Sequence, residues 1–255
     1  MISLVQAFND HSPVFFVLAA ISVVIVGISK SGFGAGIGFL AVPLIASFSS
    51  LNLALSLLLP ILLAIDLFGL TIYIKHFDKK LMKLMLPCGL AGITLGAIFF
   101  NMISSATLSI MVGVFILAFL LFRLAFPTKP TSPKPPKWLG VLMSGLAGFT
   151  SFIAHNGGPP MAVYMIPQKL PPMTYAATLS IFFTVINLSK WGPYAYLEIL
   201  RPGEFLLSLA LLPVVPIGVW LGYILAKRLS MDIYYKIVYL GMLLGGVKMV
   251  MDGLQ

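Results

Sequence analysis

Two short stretches of the chain combine polar side chains with the residues that most often interrupt a helix. The first is "GISKSGFGAGIG" at residues 27–38, and the second is "SFIAHNGGPPMAVYM" at residues 151–165. A helix that begins after such an interruption presents unpaired N–H groups and a partial positive charge at its N-terminus, and both favour an anion. Pro159 and Pro160 suit the first turn of such a helix, because proline lacks a donor that is not needed there. These residue types therefore indicate the binding of a small anion.

Charged residues within apolar sequence extend the candidate site. These are Asp66 and Lys190, and Asn187 lies one helical turn before Lys190 on the same face. A charge inside a bilayer is costly, so it usually lines a pathway or pairs with another charge. Two partners are available for Lys190, a transported anion and Asp66, and Asp66 is predicted to be a coupling group or an ion-pair partner. The predicted substrate-binding residues are Ser29, Lys30, Ser31, Gly32, Gly34, Gly36, His155, Asn156, Gly157, Gly158, Asn187 and Lys190.

Several of these residues also have a purely structural interpretation. Glycine-rich membrane segments often serve only the close packing of helices. His155 can be a hydrogen-bonded residue at a helix end, and Lys30 can extend its ammonium group to a membrane surface. His155 is also the candidate whose charge changes nearest neutral pH, so a role in sensing or carrying a proton stays open.

The composition indicates a membrane protein. Of the 255 residues, 60% are hydrophobic and only 9% are charged, and the mean hydropathy is +1.05. Charge-free runs cover residues 31–65, 84–122, 170–189 and 205–226. Each spans or nearly spans a bilayer core, which requires about 20 apolar residues in a helix. The net charge of +9 is assigned to cytoplasmic loops rather than to nucleic-acid binding. The sequence therefore predicts an all-α polytopic membrane protein.

The chain divides into two halves of similar pattern. A Pro- and Lys-rich segment at 127–137 is predicted to be a cytoplasmic linker between a first repeat, 1–126, and a second, 138–255. "LPCGLAGITLG" at 86–96 aligns without gaps on "LPVVPIGVWLG" at 212–222, which superposes Gly92 on Gly218 and Pro87 on Pro213. The two interrupted stretches also occupy corresponding places. This order of matching blocks predicts an internal repeat.

Basic loops orient the two halves. Lys- and Arg-rich segments at 75–83, 127–137 and 227–236 are expected in the cytoplasm, as is Lys169. Helices 51–74 and 173–197 then cross in opposite directions, which predicts inverted repeats with both termini outside. Each repeat is predicted to have about five helical elements, beginning with a hairpin of broken or re-entrant helices. Paired interruptions in inverted repeats are typical of a transporter binding site near the midplane.

At these residues the chain resembles the TauE/SafE family of sulfite exporters, also called TSUP. The resemblance covers almost the whole chain and is carried by "GISKSGFGAGIGFLAVPLI", "GFTSFIAHNGGPPMAVYM", "FFTVINLSKWGPYAYL" and "KHFDKKLMKLMLPCGLAGITLG". It implies export of a small sulfur-containing anion, such as sulfite, thiosulfate or an organosulfonate, across the bacterial cytoplasmic (inner) membrane. It also implies that the two interrupted stretches and the helix with Asn187 and Lys190 form the site.

The predicted function is therefore membrane transport of a small anion. An anion channel would use the same residues without alternating access. An intramembrane enzyme is the weaker alternative, because the chain has three His and no H-E-x-x-H motif. We predict no enzymatic activity, no cofactor, no metal and no nucleic-acid partner. The expected partners are the anion and the lipid bilayer, and a homodimer is compatible with the sequence.

Overall fold

The computed structural model consists of helices joined by turns and short loops in the part of the chain that it describes. It is 86% helical and has no strands among the described residues, which confirms the predicted all-α membrane fold. The described residues are 12–30, 38, 41–46, 48–100, 102–126, 134–228 and 231–254.

Eleven α-helices are described, and two 3₁₀ turns extend or join them. The 3₁₀ turns are Ile166–Gln168 and Leu212–Val214. The helices are α1 (Pro13–Ile28), α2 (Ala41–Ala46), α3 (Leu51–Tyr73), α4 (Lys79–Phe100), α5 (Ser105–Ala125), α6 (Lys137–Ala154), α7 (Gly158–Met165), α8 (Pro172–Tyr196), α9 (Pro202–Leu211), α10 (Val215–Arg228) and α11 (Met231–Leu254).

Local sequence accounts for several helix ends. Ser12, Ser50 and Ser104 precede α1, α3 and α5, and each side-chain oxygen accepts a hydrogen bond from a backbone N–H in the first turn. These bonds satisfy donors that a helix N-terminus otherwise leaves unpaired. Between α5 and α6 lies the predicted linker, of which residues 127–133 fall outside the described part.

Among the described residues, four helical spans are long and apolar enough to cross a membrane, by length and composition. They are Leu51–Phe68, Lys79–Phe100, Lys137–Ala154 and Pro202–Gly222, and the last combines α9 and α10 across a 3₁₀ turn. Helix α8 has 25 residues but is not among these four, and it carries Asn187 and Lys190. Large apolar side chains such as Phe68, Leu121 and Trp220 are exposed on the outside of the bundle. Lipid rather than water suits such a surface.

The two halves of the chain pack in a reciprocal way. Helix α4 of the first half packs on α6 of the second, while α10 of the second packs on α1 of the first. Likewise α4 packs on α8 and α9 packs on α3, and the pairs α3–α8 and α5–α11 join equivalent helices. This exchange of neighbours is what a two-fold repeat requires. The opposite orientation of the repeats across the membrane stays a prediction.

The aligned glycines Gly92 and Gly218 occupy equivalent contacts in this packing. A Cβ on Gly92 would lie 2.0 Å from the carbonyl oxygen of Gly145 on α6. A Cβ on Gly218 would lie 2.9 Å from the backbone of Val24 on α1, and one on Gly27 would lie 2.8 Å from Gly218. Gly92 thus allows α4 to approach α6 closely, and Gly218 allows α10 to approach α1.

Candidate functional site

A cavity lies where the two interrupted stretches meet α3 and α8. Its volume is about 60 Å³, several times the roughly 10–15 Å³ that one water requires and well below the roughly 300–1,000 Å³ of drug-sized pockets. An anion of a few heavy atoms matches this size. The lining residues are Val26, Ser29, Lys30, Gly38, Ala41, Leu58, Leu62, Ser151, His155, Asn156, Gly158, Pro159, Phe183 and Asn187.

The second interruption has a defined backbone. His155 ends α6 in the left-handed conformation, with φ of 50°, a position that glycine usually fills. Its N–H donates to the carbonyl of Ser151 at 3.0 Å, and the N–H of Asn156 donates to the carbonyl of Thr150 at 3.2 Å. These bonds satisfy the last carbonyls of α6 and turn the chain into α7.

The N-terminus of α7 presents two backbone donors. Pro159 and Pro160 have no N–H, and the N–H of Met161 donates to the carbonyl of Gly157. The N–H groups of Gly157 and Gly158 therefore remain, and the described residues provide neither of them with an acceptor. Gly158 lines the cavity. The helix end thus supplies the partial positive charge and the donors that the sequence predicts at this place.

The side chain of Asn156 is buried and has no hydrogen-bond partner among the described residues. Only 2% of the residue is exposed, and neither Nδ2 nor Oδ1 has a hydrogen-bond partner in the described part of the chain. Buried polar atoms in folded proteins are nearly always hydrogen-bonded. Since Asn156 also lines the cavity, its amide is a group that a bound molecule would satisfy.

Asp66 pairs with Lys30 and not with Lys190. The Nζ of Lys30 donates to Oδ1 of Asp66, and Nδ2 of Asn187 donates to Oδ2 of Asp66 at 2.6 Å. The Asp66 side chain is 3% exposed and that of Lys30 is 21% exposed. Lys30 lines the cavity, and its Nζ also lies 6.0 Å from the centre of the Phe183 ring. Asp66 is therefore an ion-pair partner, but of Lys30 and not of Lys190, one of the two partners that the sequence left open for Lys190.

Lys190 is buried behind the cavity. Its Nζ donates to the carbonyl and the hydroxyl of Ser151, both at 3.0 Å, and to Nδ1 of His155 at 2.8 Å. Lys190 is 0% exposed and is not among the residues that line the cavity. Its side chain holds Ser151 and His155, which do line it.

These contacts determine which nitrogen of His155 carries the proton. Nε2 lies 3.0 Å from the carbonyl oxygen of Leu55, and a carbonyl can only accept, so Nε2 carries the hydrogen. Nδ1 is then the acceptor for Lys190. With both nitrogens engaged in this way, the neutral ring joins α3, α6 and α8. The contacts of His155 therefore agree with its structural interpretation as a hydrogen-bonded residue at a helix end.

The structure brings together Ser29, Lys30, His155, Asn156, Gly158 and Asn187 around one cavity. Gly157 adjoins them, but a Cβ there would lie 2.7 Å from the Ala147 carbonyl oxygen, so this glycine is needed for packing against α6. Four further candidates lie outside the residues that the structure describes, namely Ser31, Gly32, Gly34 and Gly36.

Sequence reasoning missed Ser151 as a site residue. Ser151 contacts Lys190 through both its carbonyl and its hydroxyl and also lines the cavity. Its spacing provides a signal that could have found it, because it precedes His155 by four residues and so shares its helix face.

The fold and site define a polytopic helical membrane protein with a cavity at helix interruptions, lined by apolar residues and by several polar ones. Residues 19–249 match the family model described as "Sulfite exporter TauE/SafE". The chain therefore belongs to this family of transporters, as its resemblance indicated. No curated protein and no solved structure matches the chain.

Proposed function

We propose that this protein exports a small sulfur-containing oxyanion, with sulfite as the first candidate, through the cavity between the two interruptions. The observation that supports the proposal most directly is the unpartnered amide of Asn156 beside the N-terminus of α7. Membership of the family supports transport of an anion. The bacterial cytoplasmic membrane is the proposed location.

Lys30 is the proposed source of charge for the anion. An ammonium group has three N–H donors, and the described contacts of Lys30 commit one of them, to Asp66. The remaining donors can reach an anion without separating Lys30 from its carboxylate. The amide of Asn156 and the N–H of Gly158 would then complete the set of donors around the anion.

Lys190 is the proposed positioning residue rather than a ligand. Its three contacts fix Ser151 and the His155 ring, and His155 is followed directly by Asn156. The backbone at the start of α7 is thereby held in place. This role differs from the direct anion contact that the sequence suggested for Lys190.

The function can be tested with the variant Asn156→Leu, which keeps the side chain's size and removes its polar atoms. We expect sulfite to bind the purified variant about ten- to a hundredfold more weakly, because hydrogen bonds to charged groups contribute roughly 1.5–3 kcal/mol. Sulfite efflux from proteoliposomes should be slowed in parallel. Equilibrium binding and the efflux rate are the measurements.

Ser144→Ala is the matched control for this variant. Ser144 lies on α6, is 0% exposed and has an Oγ without a partner among the described residues, but it does not line the cavity. Its removal should leave sulfite binding unchanged. A folded Asn156→Leu protein with wild-type affinity for sulfite would contradict the proposed site.

We propose that the repeats are inverted, with both termini outside and the 127–137 segment in the cytoplasm. Single cysteines introduced as Leu254→Cys and Ser132→Cys in a Cys88→Ser background test this orientation. A membrane-impermeant thiol reagent should label the first in intact cells, and the second only after permeabilisation, because basic loops are retained in the cytoplasm. Labelling at position 132 from outside would contradict it.

A further inference from the structure

The cavity presents hydrogen-bond acceptors as well as donors. The amide of Asn156 contains one donor group and one acceptor, and neither has a partner among the described residues. Interchanging the assigned positions of Nδ2 and Oδ1 would not change this result, because neither atom has a partner among the described residues. A residue that lines the cavity therefore carries an oxygen that an ordinary deprotonated oxyanion cannot satisfy.

Asn187 adds a second acceptor. Asp66 is itself an acceptor, so the atom of Asn187 that faces it must be Nδ2, and the 2.6 Å contact fixes the orientation of this amide. Its Oδ1 has no partner in the described part of the chain, and the residue lines the cavity. An anion that had only acceptors of its own would thus leave the buried Oδ1 of Asn156 without a donor.

The charges around the cavity favour one negative charge on the ligand over two. The titratable groups are Lys30 at the end of α1, Asp66 on α3, His155 between α6 and α7, and Lys190 on α8. The ion pair with Asp66 offsets part of the charge of Lys30. His155 is neutral by its hydrogen bonds, and Lys190 is separated from the cavity by Ser151 and His155. A dianion in the cavity would therefore meet little compensating positive charge, since only Lys30 of these cations lines the cavity.

We propose that the bound species is an oxyanion with a single negative charge and a hydroxyl proton of its own. For sulfite this is hydrogensulfite in its hydroxyl form, whose O–H donates to Oδ1 of Asn156 while its other oxygens accept from Lys30, the Asn156 amide N–H and Gly158. This inference rests on the proposed function and specifies the chemical form of the substrate. A site that hydrogen-bonds a substrate hydroxyl discriminates strongly against an analogue that lacks it.

The test compares two ligands of the purified protein over a pH range that includes the ionisation of hydrogensulfite near neutrality. Methanesulfonate has one negative charge and no hydroxyl throughout this range, so its pH profile reports only the titration of protein groups. The ratio of sulfite affinity to methanesulfonate affinity isolates the proton on sulfite. We expect this ratio to fall about tenfold for each pH unit above the ionisation of hydrogensulfite, as its protonated fraction does.

A second arm uses Asn156→Leu at the acid end of the range. The preference for hydrogensulfite over methanesulfonate should shrink by about tenfold when the amide acceptor is removed. A ratio that stays flat or rises with pH in the wild-type protein would overturn the inference while leaving anion binding intact. An unchanged preference in Asn156→Leu would overturn it as well. Failure of both ligands to bind at any pH would overturn the proposed function itself, and this inference with it.

Discussion

Asp66→Ala is expected to destabilise the protein by about 3 kcal/mol. Removing one partner of a buried ion pair strands the other and typically costs roughly 3–5 kcal/mol. Here the substitution leaves both Lys30 and Nδ2 of Asn187 without their acceptor. We expect the lower end of this range because the Lys30 side chain is 21% exposed, so water can solvate part of its unpaired charge. Thermal unfolding in detergent measures the loss.

Two double variants identify the partner of Asp66. Lys30→Met with Asp66→Asn removes both charges and keeps an acceptor for Asn187, so it should recover most of the stability that Asp66→Ala loses. Lys190→Met with Asp66→Asn should not recover it, because Lys30 stays stranded and His155 loses its donor. Recovery by the Lys190 combination alone would contradict the contacts described here. The Lys30 combination should fold but export sulfite poorly, since it lacks the proposed charge for the anion.

Gly148→Ala is expected to lower the free energy of unfolding by about 3 kcal/mol or more, at least as much as Asp66→Ala does. The added Cβ would lie 1.9 Å from the carbonyl oxygen of Gly89 and 2.8 Å from its carbonyl carbon. Both are backbone atoms of α4, so no side-chain rotation can relieve the contact. Helices α4 and α6 would therefore have to separate. Their interface supports the end of α6, where His155 lies. The yield of folded protein and its thermal midpoint are the measurements.

Gly145→Ala is the matched control on the same helix. Its Cβ would lie 3.7 Å from the carbonyl oxygen of Cys88, which is ordinary van der Waals contact. The substitution should therefore leave stability near the wild-type value, with a small gain from the better helix propensity of alanine. Equal destabilisation at positions 145 and 148 would show that the α4–α6 approach is not as close as described.

The sequence determined the class of protein and the places where its helices are interrupted. Long charge-free apolar runs require membrane helices. Within a bilayer, a single continuous segment pairs its own backbone N–H and C=O groups only as a helix. The sequence His155-Asn156-Gly157-Gly158-Pro159 is incompatible with an uninterrupted helix, and α6 ends at Ala154. The sequence identifies Asp66 and Lys190 as site candidates because charges within apolar runs are rare, and Asn187 because it lies one helical turn before Lys190.

The tertiary structure alone decided which of these polar groups meet. Sequence gives the position of a residue along its helix, but contact across helices depends on how each helix is rotated about its axis and which neighbour it faces. Asp66 and Lys190 lie on helices that pack together, yet Lys30 reaches Asp66 from the end of α1, and Lys190 points to Ser151 and His155. The orphaned amide of Asn156 likewise emerges only from packing, because whether a buried group finds a partner depends on every element that surrounds it.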